Sequence, residues 1–185
     1  MTPVNNSTTR FVAFLRGINV GGNKMIPMAK LKTMFESLGF TNVKTLLATG
    51  NILFDAPKST PETLVTLIEK KIEATFRLHS HAIVRSLADI HALVDRDPFK
   101  HISVTPHTRL YITFLATKPK SSLKIPYMSP NKDFTILKVS DTEICSVLTL
   151  NPSTRSVDAM QVLEKEYGKH ITTRNWNTVK KIAHS

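Results

Sequence analysis

Between residues 16 and 24 the chain reads Arg16-Gly17-Ile18-Asn19-Val20-Gly21-Gly22-Asn23-Lys24, two cations enclosing three glycines and two amides. Glycine reaches backbone angles closed to other residues, so a turn of this kind lets N–H groups point together at one guest. Set before a helix, that concavity suits a phosphate or a carboxylate. Arg16 could grip an anion through two parallel hydrogen bonds, with Lys24 adding a point charge. Gly17, Asn19, Gly21, Gly22 and Asn23 complete this half of the candidate anion site. The spacing is neither that of a phosphate loop, since no Gly-Lys-Ser/Thr follows, nor that of a dinucleotide fingerprint. The structural alternative is a wide turn whose glycines only let the chain reverse, with Arg16 paired to a carboxylate.

A second polar cluster, Thr172-Thr173-Arg174-Asn175-Trp176-Asn177, opens the last helix. Thr173 or Asn175 could cap that helix by accepting a free backbone N–H. Trp176, Val179 and Ile182 share one helical face, which suits a core anchor better than a stacking surface. Arg174 has no structural duty legible in the sequence. Arg174 and Asn175 are therefore placed with the Gly-rich turn as candidate anion ligands, on the expectation that the two segments meet. Thr49, Gly50 and Asn51 could complete that site, although a hairpin also accounts for Gly50.

Other chemistry is not spelled out. Of seven histidines only His79 and His81 are close together, too few to seat a metal alone. Cys145 sits inside an apolar strand and reads as an inert core thiol, and a single cysteine rules out an internal disulfide. No nucleophile elbow and no short acidic metal-binding repeat occurs. No catalytic residue, metal or cofactor is assigned.

The elements that must position these groups follow from periodicity. Phe11–Leu15 reads as a buried central strand. Pro27 opens a helix with Met28, Leu31, Met34, Phe35 and Leu38 at helical spacing, ended at Gly39. Strands Val43–Ala48 and Ile52–Asp55 join through Thr49-Gly50-Asn51 as a tight hairpin, and a helix with Leu64, Ile68, Ile72 and Phe76 leads to a strand at His81–Arg85. That order is βαββαβ, the ferredoxin-like arrangement. After a short helix at about Leu87–Val94 it repeats: strand Leu110–Leu115, a helical or irregular stretch near Lys120–Tyr127, strands Phe134–Val139 and Ile144–Leu150, a helix from Ser156 to Tyr167 and the last helix. A final strand is marked only by Ile171-Thr172. The predicted fold is α+β: two ferredoxin-like lobes in tandem, with antiparallel sheets and helices on one face. Residues 1–9 read as a disordered leader, 10–95 as the N-terminal lobe and 96–185 as the C-terminal lobe.

Composition bounds the partners. The chain of 185 residues is 41% hydrophobic and carries a net charge of +11, of which 96–185 supply +7. A field of that size attracts polyanions, but no basic run interleaved with aromatics offers a stacking platform. The longest apolar run is too short to cross a bilayer, and nothing reads as a signal peptide, so the expected compartment is the cytoplasm.

The segment FLRGINVGGNKMIPMAKLKTMFESLGFTNVKTLLATGNILF resembles the opening of a bacterial family, domain of unknown function 1697, and TTRNWNTVKKI at 172–182 resembles its closing signature. The likeness covers the chain from about Arg10 onward. It implies a single-chain bacterial α+β protein and brings no established reaction, cofactor or partner. It also implies a Ser-Lys pair before the penultimate helix, where this chain has Ser156-Val157, leaving Arg155 as the nearest cation. The expected function is binding of a phosphate-bearing small molecule or nucleotide at the Gly-rich turn. The alternatives are weak nucleic-acid binding through a basic surface, and an enzyme acting on a phosphorylated or acyl substrate.

Overall fold

A computed structural model describes residues 8–19, 25–121, 123–151 and 156–185, with the backbone alone at 156–158. The chain divides into two compact units between Ala92 and Leu93.

In the first unit β1 (Thr8–Leu15), α1 (Met28–Glu36), β2 (Thr41–Leu46), β3 (Asn51–Pro57), α2 (Pro61–Phe76) and β4 (Ala82–Ser86) follow one another, and α3 (Leu87–Arg96) runs across the division. The sheet order is β2-β3-β1-β4 with every neighbouring pair antiparallel. This is the ferredoxin-like order: α1 carries the chain from β1 past the place that β3 takes later, and α2 carries it from β3 past β1 to the edge. Alternation gives β1 two faces. Phe11, Ala13 and Leu15 join Leu31, Phe35, Leu64, Ile68 and Ile72 from α1 and α2 in one core. Phe54 organises it, stacked on Phe40 at 4.5 Å and meeting Phe35 edge-on at 5.4 Å. Val12 and Phe14, on the other face of β1, are equally closed to solvent.

Local signals set the helix ends. Thr60 caps α2 by accepting from Thr63 N, Pro61 stands in the first turn, and Arg77 closes the helix at φ 53°. Gly39 takes φ 81° after α1, as its position predicts. The β2–β3 turn differs in detail from the expected tight hairpin. Leu47 (φ 58°) and Gly50 (φ 74°) both turn left-handed, and Asn51 already belongs to β3.

The second unit contains β5 (Thr108–Leu115), β6 (Tyr127–Met128), β7 (Phe134–Val139), β8 (Glu143–Thr149), α4 (Ser156–Tyr167), β9 (Ile171–Asn175) and α5 (Trp176–Ala183). Its sheet order is β6-β7-β8-β5-β9, so β7-β8-β5-β9 repeats the order of the first unit. Pro119, Pro126 and Pro130 interrupt the stretch where the first unit has its first helix, and only the two-residue β6 forms there. The weakly marked final strand is real: Ile171 to Asn175 pair with Leu115 to Tyr111 along the edge of β5. No helix among the described residues is long and apolar enough to cross a membrane.

Candidate functional site

The backbone leaves β1 under close control. Leu15 N donates to Gly50 O at 2.8 Å, Arg16 N donates to His81 O at 2.8 Å, and Ser80 Oγ donates to Arg16 O at 3.0 Å. Gly17 then turns left-handed (φ 67°) and Ile18 returns to the core. Asn19, at φ 55°, is the hinge of the loop. Its Nδ2 donates to Ile26 O at 3.0 Å and to Ala48 O at 2.9 Å, while its Oδ1 accepts from Ile26 N at 2.7 Å. Asparagine tolerates the left-handed region, which is why it serves here. The two ends of the 20–25 segment are thereby fastened to each other and to the β2–β3 turn.

That turn lies against the loop base. A Cβ on Gly50 would stand 2.8 Å from Ile18 Cγ1 and 3.1 Å from Leu15 Cβ, so the contact needs glycine as much as the positive φ does. Asn51, buried, donates to Leu46 O and to Thr49 Oγ1 and fixes the turn from inside. Leu15, Ile18 and Asn19 are thus brought against Ala48 and Gly50 of that turn. Gly21, Gly22, Asn23 and Lys24 lie outside the described residues. Directly beyond the clamp, Pro27 stands at the N-cap of α1, which has no side-chain cap and no acidic residue in its first turn. A helix start leaves its first N–H groups without intrahelical partners and carries the positive end of the dipole.

The closing motif belongs to the second unit. Thr173 Oγ1 meets Thr113 Oγ1 at 2.8 Å across the β5–β9 pair. Arg174 Nη1 donates to Thr172 Oγ1 at 2.8 Å and to Thr173 O at 2.9 Å. Burial pushes its guanidinium down to about 10, so desolvation outweighs what the surroundings return. Asn175 caps α5 by accepting from Asn177 N at 2.9 Å. Trp176 is a core anchor, edge-on to Phe99 at 5.3 Å. Arg16 and Arg174 stand in different units.

Other chemistry is limited by environment. Burial raises the Cys145 thiol to about 11, with Glu143 adding to the rise, so it is a poor nucleophile. His79 and His81 lie near Glu73 and Glu69 of α2 at 3.4 and 3.6 Å. Among the described residues no group of three His, Cys, Asp or Glu side chains is arranged to hold a metal. The side chain of Val157 lies outside the described set. The roles that sequence reasoning missed are those of Ser80, Ala48 and Ile26. Two of these act through backbone atoms, which carry no residue-type signal.

Two comparisons place the chain among known proteins. The family described as "Protein of unknown function (DUF1697)" matches residues 8–145. The solved structure of the conserved bacterial protein SP0830 from Streptococcus pneumoniae superposes with a TM-score of 0.61 at 21% identity, covering 96% of this chain and 98% of that one. At that identity the likeness is one of fold. No curated protein matches.

Proposed function

The chain belongs to the DUF1697 family, and from that premise we propose that it binds a phosphate-bearing small molecule at the loop between β1 and α1. The observation that carries this reading is the Asn19 clamp. It fastens both ends of a segment holding Gly21, Gly22 and Lys24 directly before an uncapped helix N-terminus. A clamped base favours binding because less loop entropy is lost when a ligand arrives. Arg16, whose backbone is held on both sides, supplies a cation at the loop's entrance.

Nucleic-acid binding in the manner of ferredoxin-like RNA-recognition sheets finds less support. That mode stacks bases on exposed aromatics of the central strands. Here Phe11, Phe14 and Phe54 of β1 and β3 are at most 3% exposed.

Thermal unfolding in a panel of inorganic phosphate, sugar phosphates and nucleotides tests the proposal. A true ligand at a hundred times its dissociation constant stabilises the fold by roughly 2.7 kcal/mol. Arg16→Ala and Lys24→Ala are expected to reduce that response. A panel without any stabilising compound, or a response that survives both substitutions, rules the proposal out.

A further inference from the structure

A basic cleft lies wholly within the second unit. It is a cleft of about 250 Å³ between the end of α3, the turn that follows it and the β7–β8 hairpin, lined by Arg96, Lys100, His101, Lys138, Glu143 and Cys145 among others. We propose that this cleft binds a small phosphate monoester, with Lys100 and Lys138 as its principal ligands and Arg96 beside them.

The argument starts with a β-bulge. Ile136 stands opposite Ser146, but Lys138 stands opposite Cys145, so Leu137 is an extra residue in β7. Ile136, Ile144 and Leu148 share the core packed under α4. Without the extra residue Leu137 would face Cys145, and Lys138 would point toward that core opposite Ile144. The bulge moves the ammonium to the other face, beside Arg96 and the thiol. Bulges re-aim side chains in this way.

The turn after α3 supplies the opposite wall. Asp97 takes φ 32°, its Oδ1 accepts from Phe99 N at 3.1 Å, and Lys100 N donates to its carbonyl at 3.2 Å. Phe99 is buried against Trp176, which holds the turn in place and leaves Lys100 and His101 at the rim.

Charge within the cleft is unbalanced. Arg96 is paired with Glu143 at 3.1 Å, and that carboxylate also accepts from Thr142 Oγ1. The Asp97 carboxylate also lines the cleft, accepting from Phe99 N, so three cations (Arg96, Lys100, Lys138) face two carboxylates (Asp97, Glu143) there. Lys100 and Lys138 have no carboxylate partner among the described residues. Arg96, Lys138 and Glu143 line the cleft together with Cys145. Two unspent ammonium groups suit a dianion, for which lysine is a common point-charge ligand. The volume is just below the roughly 300–1,000 Å³ of ordinary ligand pockets, which suits a phosphate bearing a few carbons. The thiol is held protonated, so binding is non-covalent.

Amide-resolved NMR titration of the full chain with inorganic phosphate, at constant ionic strength, tests the proposal. Saturable shifts are expected at Lys100, His101 and 138–145. Lys100→Met and Lys138→Met should each weaken binding about tenfold or more, the loss of one charge-assisted hydrogen bond, while Lys138→Arg retains it. Arg16→Ala and Lys24→Ala should leave these shifts unchanged, which separates this site from the first unit's loop. Shifts that sodium chloride reproduces, shifts insensitive to Lys138→Met in a variant with a native spectrum, or no saturable change at these amides would each overturn it.

Discussion

Asn19 is the residue on which the N-terminal loop turns, and its contribution is measurable without knowing any ligand. One side chain satisfies three backbone groups, on Ile26 and Ala48. Asn19→Ala removes those partners and puts alanine at φ 55°, so a loss of about 2–3 kcal/mol in urea unfolding is expected. Gly50→Ala should cost at least about 1 kcal/mol by the same measurement, because its φ of 74° is strained for alanine and Ile18 must move aside. Cys145 makes a pH prediction. Burial pushes its thiol up from the ordinary 9.0 to about 11 in the folded chain, so the unfolded chain loses this proton first. The stability held below pH 9 therefore falls as pH rises toward 11, by an amount on the order of 2 kcal/mol. Cys145→Ala should flatten that part of the stability profile relative to the parent protein. Slow alkylation of the native thiol at pH 8, against fast alkylation in urea, checks its burial independently.

At the scale of elements, β9 and α5 share one residue. Asn175 ends the strand and caps the helix, so the chain changes from extended to helical with no connecting loop. Asn175→Ala is expected to destabilise by about 1 kcal/mol, and Asn175→Asp to restore most of it, since either side chain offers the acceptor oxygen. The bulge in β7 shows the opposite dependence on context. Phe134-Thr135-Ile136-Leu137-Lys138-Val139 alternates apolar and polar residues except at the adjacent apolar pair Ile136-Leu137, a break that does not by itself say which residue is extra. The insertion becomes visible only in the register against β8.

At the scale of the whole molecule, two units repeat one strand order, β2-β3-β1-β4 in the first and β7-β8-β5-β9 in the second. What they share is the arrangement that buries one sheet face under crossing helices. The net charge of +11 acts at this scale too. Contact with a polyanion such as heparin should weaken steeply between low and physiological salt, as counterion release requires. Trp176 is the single tryptophan and lies in the core against Phe99, so its fluorescence should not be quenched when nucleic acid is added. Quenching comparable to that of a stacked base would contradict the buried placement of the aromatics.

The sequence by itself determined the elements and their order. The 3.6-residue spacing in α1 and α2, the apolar run of β1 and the stop at Gly39 are local signals, each decided within a few residues of chain. It also determined that positive charge gathers near the Gly-rich turn and in the C-terminal half. The tertiary structure decided which distant groups meet: Asn19 with Ala48, Ser80 with Arg16, Lys138 with Cys145 rather than with the core under α4. Those pairings depend on strand register and on backbone carbonyls and amides, which every residue carries alike. A short motif has no means of specifying them, because they arise only when separate segments pack against one another.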